Sequence, residues 1–323
     1  MEKPRILVSR KLPAAVEAAL ARDFDVTPNA EDVPLDRAAF RAALMEYDGL
    51  LVTVTDALGA EVFAGLAPRC RILANYGVGF SHIDTGAAQG AGIVVTNTPD
   101  VLSDCTADLA MTLLMMAARR AGEGERELRA GRWSGWRPTH MIGTKVTGKT
   151  LGIIGFGRIG RAMARRAHFG FGMRVLVQNR SVVAAEVLAE TGAVQVDSVE
   201  TLLPECDFVS LHCPGGAENR HLIGEARLAM MKPSAILVNT ARGEVVDEAA
   251  LAAALKGGVI AGAGLDVFEK EPEIHPALLE CDNAVLLPHL GSATRETREG
   301  MGMRAVENLR QFFAGEAPQD RIV

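Results

Sequence analysis

The sequence predicts an α/β protein with two doubly wound parallel sheets, one in each of two domains. Short β-branched apolar runs alternate with helical patterns as far as Pro99, and the same rhythm returns from Thr150. Strands that alternate with helices favour parallel sheets covered on both faces. A length of 323 residues also favours two domains or one large one. Because the rhythm occurs twice, we expect two domains.

The first run contains four predicted strands and three predicted helices. The strands are the apolar stretches at 5–10, 49–55, 71–77 and 92–99. The helical patterns lie at 14–23, 37–47 and 60–66. A long, almost wholly apolar helix follows at 103–120, with Ser103 or Asp104 as its N-cap. A helix that is apolar on all sides is expected between two layers or two subunits.

The second run follows a polar segment, 121–148, which holds both tryptophans and is expected to be an irregular functional or interface arm. About six strands are predicted next, at 150–157, 174–179, 208–214, 235–242, 261–268 and 283–289. Helices are predicted between them at 158–168, 182–192 and 247–258. A final helix at 295–316 completes the predicted elements.

A glycine-rich turn joins the first strand and helix of the second run. Its glycines match G-x-G-x-x-G, a spacing that permits a tight turn and a close approach of the backbone to a pyrophosphate. The N-terminus of the following helix then faces that anion. This context predicts a Rossmann-type dinucleotide site, with candidate contacts Gly155, Phe156, Gly157, Arg158, Ile159 and Gly160.

The second strand of this run ends without the acidic residue that usually binds the adenosine ribose of NAD. Gln178 is followed by Asn179, Arg180 and Ser181. A neutral Asn179 does not repel a 2′-phosphate, and the planar fork of Arg180 suits a phosphate dianion. NADP(H) is therefore the preferred cofactor. The alternative is that Arg180 faces solvent and NAD(H) binds.

Charged side chains follow three later strands. They are Arg242, Asp266 with Glu271 in the loop behind it, and His289. In a doubly wound sheet these strand ends share one edge with the glycine turn, where ligands bind. A histidine suits proton transfer near neutral pH, a carboxylate orients it, and an arginine binds a substrate carboxylate. The set predicts reduction of a 2-oxo acid by hydride from a nicotinamide.

Composition excludes several other classes of function. A formal net charge of −6 disfavours binding to nucleic acid or to an anionic membrane. The five cysteines are widely spaced and show no zinc-site or disulfide pattern. The N-terminal residues do not resemble a signal peptide, and no apolar run is long enough for a membrane span. A cytoplasmic protein without a metal is expected.

The chain resembles the D-isomer-specific 2-hydroxyacid dehydrogenases over nearly its whole length. The similar stretches include "NYGVGFSHID", "GKTLGIIGFGRIG", "LHCP", "NTARGEVVDEAAL", "AGAGLDVFEKEP" and "LLPHLGSAT". The resemblance implies that Arg242, Glu271 and His289 are catalytic, with His289 as proton donor. It implies substrate contacts from Val78, Gly79, Arg242 and His289. It also implies cofactor contacts from Thr106, His212, Cys213, Pro214, Thr240, Ala241, Asp266 and Gly291.

The same resemblance implies a domain layout and an assembly. Residues 1–98 and 289–323 would form a discontinuous, flavodoxin-like substrate domain, and 99–288 the inserted dinucleotide-binding domain. Substrate would bind in a cleft that a hinge closes. Members are usually homodimers that use the long apolar helix and the arm after it, with Trp136 near the partner's site.

Within the family, the stretch "GRWSGWRP" resembles glyoxylate and hydroxypyruvate reductases. Formate dehydrogenases of similar pattern carry glutamine in place of Glu271, so formate oxidation is disfavoured. Two alternatives remain open. One is a dehydrogenase for a larger 2-oxo acid, and the other is a dinucleotide-sensing protein similar to transcriptional co-repressors.

Overall fold

A computed structural model of the chain describes residues 2–323. The strands are β1 (Arg5–Val8), β2 (Asp25–Thr27), β3 (Gly49–Thr53), β4 (Ile72–Tyr76), β5 (Val94–Thr96), β6 (Thr150–Ile154), β7 (Arg174–Gln178), β8 (Val194–Gln195), β9 (Phe208–Leu211), β10 (Ile236–Asn239), β11 (Gly262–Leu265) and β12 (Ala284–Leu286). The helices are α1 (Ala14–Asp23), α2 (Arg37–Glu46), α3 (Ala60–Phe63), α4 (Thr85–Gly90), α5 (Ser103–Ala118), α6 (Ala121–Arg129), α7 (Arg158–Arg165), α8 (Ala185–Ala189), α9 (Val199–Leu202), α10 (Glu225–Leu228), α11 (Glu248–Lys256), α12 (Pro276–Leu279) and α13 (Arg295–Phe313).

The chain divides into two compact units. The first contains the residues up to Leu102 together with Ala293–Val323, and the second is Ser103–Ser292. These limits differ by four residues from those expected, because α5 begins at Ser103 and its Thr106 side chain bonds to the Gly291 carbonyl. The loop that carries His289 therefore lies in the second unit.

The first unit is a five-stranded parallel sheet with the strand order β2-β1-β3-β4-β5. Its order reverses once, as in a doubly wound, flavodoxin-like sheet. The apolar side chains of Ile6, Leu50, Leu73 and Val95 are fully buried in it. Two elements were not predicted, β2 and α4. The first has only three residues, and the second contains the poor helix formers Gly86 and Gly90.

The second unit is a seven-stranded parallel sheet in the order β12-β11-β10-β9-β6-β7-β8. The chain starts at β6, moves outward to β8, and then returns to build the other half from β9. That is the strand order of a Rossmann fold, and its switch point lies between β6 and β9. The two doubly wound parallel sheets confirm the predicted fold class. The six expected strands are present, and the two-residue β8 is an addition.

Helix α5 packs on the sheet of its own unit through Ala107, Ala110, Leu113 and Leu114, which are buried. The interpretation of the next segment as irregular is wrong for Ala121–Arg129, which forms α6. That helix has no buried side chain, so no apolar periodicity marked it. Ion pairs support it instead, with Arg120 and Glu123 2.6 Å apart. Among residues 2–323, the structure has no helix with the length and apolarity that a bilayer crossing requires.

Candidate active site

The glycine turn joins β6 to α7 at the switch point of the sheet. Gly155 has a φ of +91°, and a Cβ added there would lie 2.5 Å from the Cys213 backbone nitrogen. A Cβ on Gly160 would lie 2.2 Å from the Gly155 carbonyl oxygen, so glycine lets α7 pack close to the turn. At Gly157 the corresponding space is open. A tight turn, an open approach and close helix packing are what a pyrophosphate site requires of the three glycines.

Two buried polar atoms at the same sheet edge fit a polar ligand. Within residues 2–323, His212 Nδ1 and Thr240 Oγ1 are buried and have no hydrogen-bond partner. Burial lowers the pKa of His212 to about 4, so its ring is neutral. The two residues follow the neighbouring strands β9 and β10. Because buried polar atoms are rarely left unpaired, this edge fits a nicotinamide dinucleotide laid across it.

The segment after β7 is shaped by Asn179. Its Oδ1 accepts a hydrogen bond of 3.1 Å from the Phe156 backbone, which ties it to the glycine turn. Its Nδ2 donates to the carbonyl and to the hydroxyl of Ser181, at 3.0 and 3.1 Å. Arg180 is highly exposed and pairs with Glu218, Nη1 to Oε1, at 2.9 Å. The neutral asparagine thus organises the loop, and the arginine has an acidic neighbour that the sequence did not indicate.

His289 and Glu271 form a hydrogen-bonded pair, with 2.7 Å between Nδ1 of the ring and Oε2 of the carboxylate. The other oxygen of Glu271 accepts from the Phe268 backbone N–H at 3.0 Å. Burial by itself would raise the pKa of Glu271. The hydrogen bond and charge of His289, with the Phe268 N–H and the charge of Arg242, outweigh burial and hold that pKa below its usual range. The carboxylate therefore stays ionised beside the ring.

Arg242 lies just after β10 and is largely buried. Its Nη1 donates to the Ala241 carbonyl at 2.6 Å, and its own carbonyl accepts from the Asn239 side chain at 2.9 Å. Burial lowers the pKa of Arg242, while the charges of Glu271 and Glu244 oppose that shift. A guanidinium remains protonated in proteins. The structure therefore brings a buried cation close to the carboxylate that orients His289.

Asp266 holds the loop that carries His289. Its two side-chain oxygens accept from the backbone N–H groups of Leu290 and Gly291, at 2.6 and 2.7 Å. Its carbonyl accepts from the His289 N–H at 2.9 Å. Burial raises the pKa of Asp266, and the two backbone hydrogen bonds and the His289 charge oppose that rise. This positioning contact was not predicted, and the expected contact with nicotinamide stays a prediction.

Glu248, which no sequence motif indicated, supports the loop that contains Glu271. Its Oε1 accepts from the Glu269 N–H at 2.7 Å and its Oε2 from the His275 N–H at 3.2 Å. Its own N–H donates to the Glu269 carboxylate at 3.2 Å. The side chain is almost fully buried at the start of α11. One carboxylate thus fastens both ends of the short segment on which Glu271 sits.

The remaining cofactor candidates lie along this edge of the second unit. Thr106 donates to the Gly291 carbonyl at 3.1 Å, which joins the start of α5 to the His289 loop. Pro214 accepts from the Asn219 side chain at 2.9 Å, and this bond shapes the loop after β9. The others occupy the glycine turn, the first turn of α7 and the ends of β9 and β10: Phe156, Arg158, Ile159, Cys213 and Ala241.

The predicted substrate contacts Val78 and Gly79 lie in the first unit, after β4. Two asparagines hold the carbonyl oxygens of this loop. Asn75 donates to the Gly79 carbonyl at 3.0 Å, and Asn97 donates to the Val78 carbonyl at 2.9 Å. A polar residue inside the buried strand β4 was the one available signal for Asn75. The substrate role of this loop stays a prediction.

Comparison with known families gives a match over more than half of the chain. The model described as "D-isomer specific 2-hydroxyacid dehydrogenase, NAD binding domain" matches residues 111–291. The matched segment spans the glycine turn, Arg242, Glu271 and His289. It therefore covers the candidate site residues of the second unit, apart from Thr106 in α5.

Relatives match along the whole chain. A glyoxylate reductase from Thermococcus litoralis is 45% identical over 324 residues, covering 99% of this chain and 97% of the relative. A putative D-isomer specific 2-hydroxyacid dehydrogenase from Polaromonas has a TM-score of 0.92 at 38% identity, with coverage of 99% and 100%. An NADPH-dependent glyoxylate/hydroxypyruvate reductase from Sinorhizobium meliloti, in complex with NADP and malonate, has a TM-score of 0.88 at 34% identity, with coverage of 100% and 97%.

Proposed function

The chain belongs to the D-isomer specific 2-hydroxyacid dehydrogenase family, which is a family of oxidoreductases, and from that premise we propose that it reduces glyoxylate or hydroxypyruvate with NADPH. The observation that carries the proposal is the 2.7 Å pair of His289 and Glu271 close to Arg242. These groups lie at the sheet edge that holds the glycine turn. A proton donor, its orienting carboxylate and a cation for the substrate carboxylate therefore come from one edge.

NADPH, when bound, would supply the hydride. The side chains of this chain bind the substrate, orient it and donate the proton. Arg242 binds the carboxylate of the 2-oxo acid and polarises the neighbouring carbonyl. His289 donates a proton from Nε2 to the carbonyl oxygen as that oxygen becomes an alkoxide. Glu271 accepts from Nδ1, which fixes the orientation of the ring and stabilises its protonated form. The product is the 2-hydroxy acid.

NADP(H) is the proposed preferred cofactor, and NAD(H) remains usable. Two residues after β7 support this preference. Asn179 is neutral where a carboxylate would repel a 2′-phosphate, and Arg180 is an exposed cation that can pair with that phosphate. The Sinorhizobium meliloti relative, in complex with NADP, adds support.

The resemblance to this family also supports a homodimer. Trp133, Trp136 and Ile142, which follow α6, are 52%, 82% and 68% exposed. A cytoplasmic location stays a prediction.

The test is a panel of 2-oxo acids assayed with NADPH and with NADH. We expect glyoxylate and hydroxypyruvate to consume NADPH, with higher kcat/KM than aromatic or long aliphatic 2-oxo acids. Larger substrates preferred by more than tenfold would refute the proposed substrate class. Absence of turnover with every acid, while the dinucleotide still binds, would instead support the dinucleotide-sensing alternative.

A further inference from the structure

Glu218 meets Arg180 from the opposite side of the glycine turn. Arg180 follows β7, and Glu218 lies in the 3-10 turn Ala217–Asn219 after β9. These two strands flank β6, whose end carries the glycine turn. The ion pair, 2.9 Å from Nη1 to Oε1, therefore spans the edge at the switch point, where a dinucleotide binds in this fold. Its Arg180 end follows β7, the strand whose end meets the adenosine ribose in this fold.

The turn that carries Glu218 is held by its own hydrogen bonds. The Gly216 N–H donates to the Glu244 carboxylate at 2.5 Å, and the Asn219 side chain donates to the Pro214 carbonyl at 2.9 Å. Gly216 has a φ of +108°, which favours glycine at that position. The backbone under Glu218 is thus fixed, while its side chain is 62% exposed and that of Arg180 is 84% exposed. Both charged groups are accessible to a ligand.

A carboxylate in this place has opposite effects on the two cofactors. The 2′-phosphate of NADPH carries a charge of about −1.5 to −2, so it competes with Glu218 for the single guanidinium of Arg180 and is repelled by the carboxylate. The ribose hydroxyls of NADH can donate hydrogen bonds to a carboxylate. The loop after β7 lacks such a carboxylate, and Glu218 is the acid that meets Arg180 from the other side.

We infer that Glu218 is a specificity-determining residue that restrains the preference for NADPH and keeps NADH usable. The inference rests on the proposed function only in requiring that a nicotinamide dinucleotide binds at this edge. Because the pair is exposed, replacing either partner is expected to leave the fold intact. The effect on cofactor choice can therefore be measured without a confounding loss of stability.

The experiment compares Glu218→Gln with the wild type in direct binding of adenosine 2′,5′-bisphosphate and of 5′-AMP. These probes carry no nicotinamide, so their binding does not depend on turnover. We expect the variant to bind the bisphosphate about three- to tenfold more tightly, and 5′-AMP equally or more weakly. The double variant Glu218→Gln with Arg180→Ala should lose that gain. The matched control is Glu280→Gln, which removes an exposed carboxylate paired with Lys256 elsewhere in the unit.

Unchanged or weaker binding of the bisphosphate by Glu218→Gln would overturn the inference. So would an equal gain in the Glu280→Gln control, since that would reflect net charge alone. A tighter bisphosphate complex in an enzyme that fails to reduce glyoxylate would support the role of Glu218 and refute the proposed substrate. If the wild type reduces glyoxylate with NADPH but Glu218→Gln binds both probes as the wild type does, the proposed substrate is supported and the role of Glu218 is refuted.

Discussion

At the scale of single residues, the proposed proton donor His289 is held in an uncommon backbone conformation. His289 has a φ of +53°, a left-handed value that costs a non-glycine residue about 1–3 kcal/mol. Asp266 offsets this cost, since its carboxylate and carbonyl accept three backbone N–H groups from residues 289–291. The position of the ring therefore depends on two acids, Asp266 through the backbone and Glu271 through Nδ1.

The pairing of Glu271 with His289 predicts a pH effect. The His289 contact holds the pKa of Glu271 below its usual range, so the carboxylate is charged at neutral pH and stabilises a protonated ring. Because that pKa is held low, we expect reductase kcat/KM not to decline as the pH falls from neutral through the usual range of a glutamate pKa, and to decline only below it. Glu271→Gln has no carboxylate to titrate, so it should lower kcat/KM at neutral pH about tenfold or more and show no such decline in acid. A pH profile of kcat/KM for both proteins measures this, and a variant with the wild-type value and profile would contradict the role of Glu271.

At the scale of elements, the loop between β11 and α12 depends on α11. Glu248 fastens both sides of Glu271 through the Glu269 and His275 N–H groups. Glu248→Gln keeps one acceptor oxygen and should lower kcat about tenfold. Glu248→Ala keeps none and should lower kcat up to about 100-fold, because a small displacement of Glu271 would misplace the His289 ring. The Kd for 5′-AMP should stay unchanged.

The control for Glu248 is Glu186→Gln, since Glu186 is an exposed acid in the first turn of α8. A Glu248→Gln variant with normal kcat and a normal pH profile, or with kcat reduced only in proportion to unfolded protein, would refute a positioning role. Circular dichroism on the same samples separates the two effects.

Helix α13 provides a matched pair of glycines for a packing test. A Cβ on Gly302 would lie 2.3 Å from Val16 Cγ2 in α1, whereas a Cβ on Gly300 meets nothing closer than 3.8 Å. Gly302→Ala should therefore lower the free energy of unfolding by about 1–3 kcal/mol through overpacking. Gly300→Ala should raise it by up to about 1 kcal/mol through helix propensity. Chemical denaturation measures both, and equal effects would contradict the close packing of α1 on α13.

The elements also show what the sequence could not supply. Apolar runs in the sequence predict strands such as β6 and β10. Helix α6 buries no side chain, so its sequence has no periodic apolar pattern that would predict it. Glu248 and Glu218 look like ordinary surface acids in the sequence. Their roles arise from partners at Glu269, His275 and Arg180, which only the fold brings near. Tertiary contacts of this kind have no local signature.

At the scale of the whole molecule, the predicted architecture of two doubly wound sheets is confirmed, since strand alternation and a glycine turn specify it strongly.

The expected homodimer stays a prediction. Sedimentation should give twice the mass of the chain, and Ile142→Glu, which places a charge on an exposed apolar side chain after α6, should shift the protein towards the monomer. A wild type that sediments as a monomer at micromolar concentration would contradict the homodimer.

His289 is proposed to be the proton donor of a 2-oxo acid reductase, and the decisive measurement is steady-state turnover of glyoxylate by His289→Ala. We predict that kcat falls by about 10²- to 10⁴-fold, while binding of adenosine 2′,5′-bisphosphate and activity of the remote control His168→Gln stay normal. Turnover by His289→Ala within a few-fold of the wild type, with the cofactor bound normally, would show that His289 is not the proton donor.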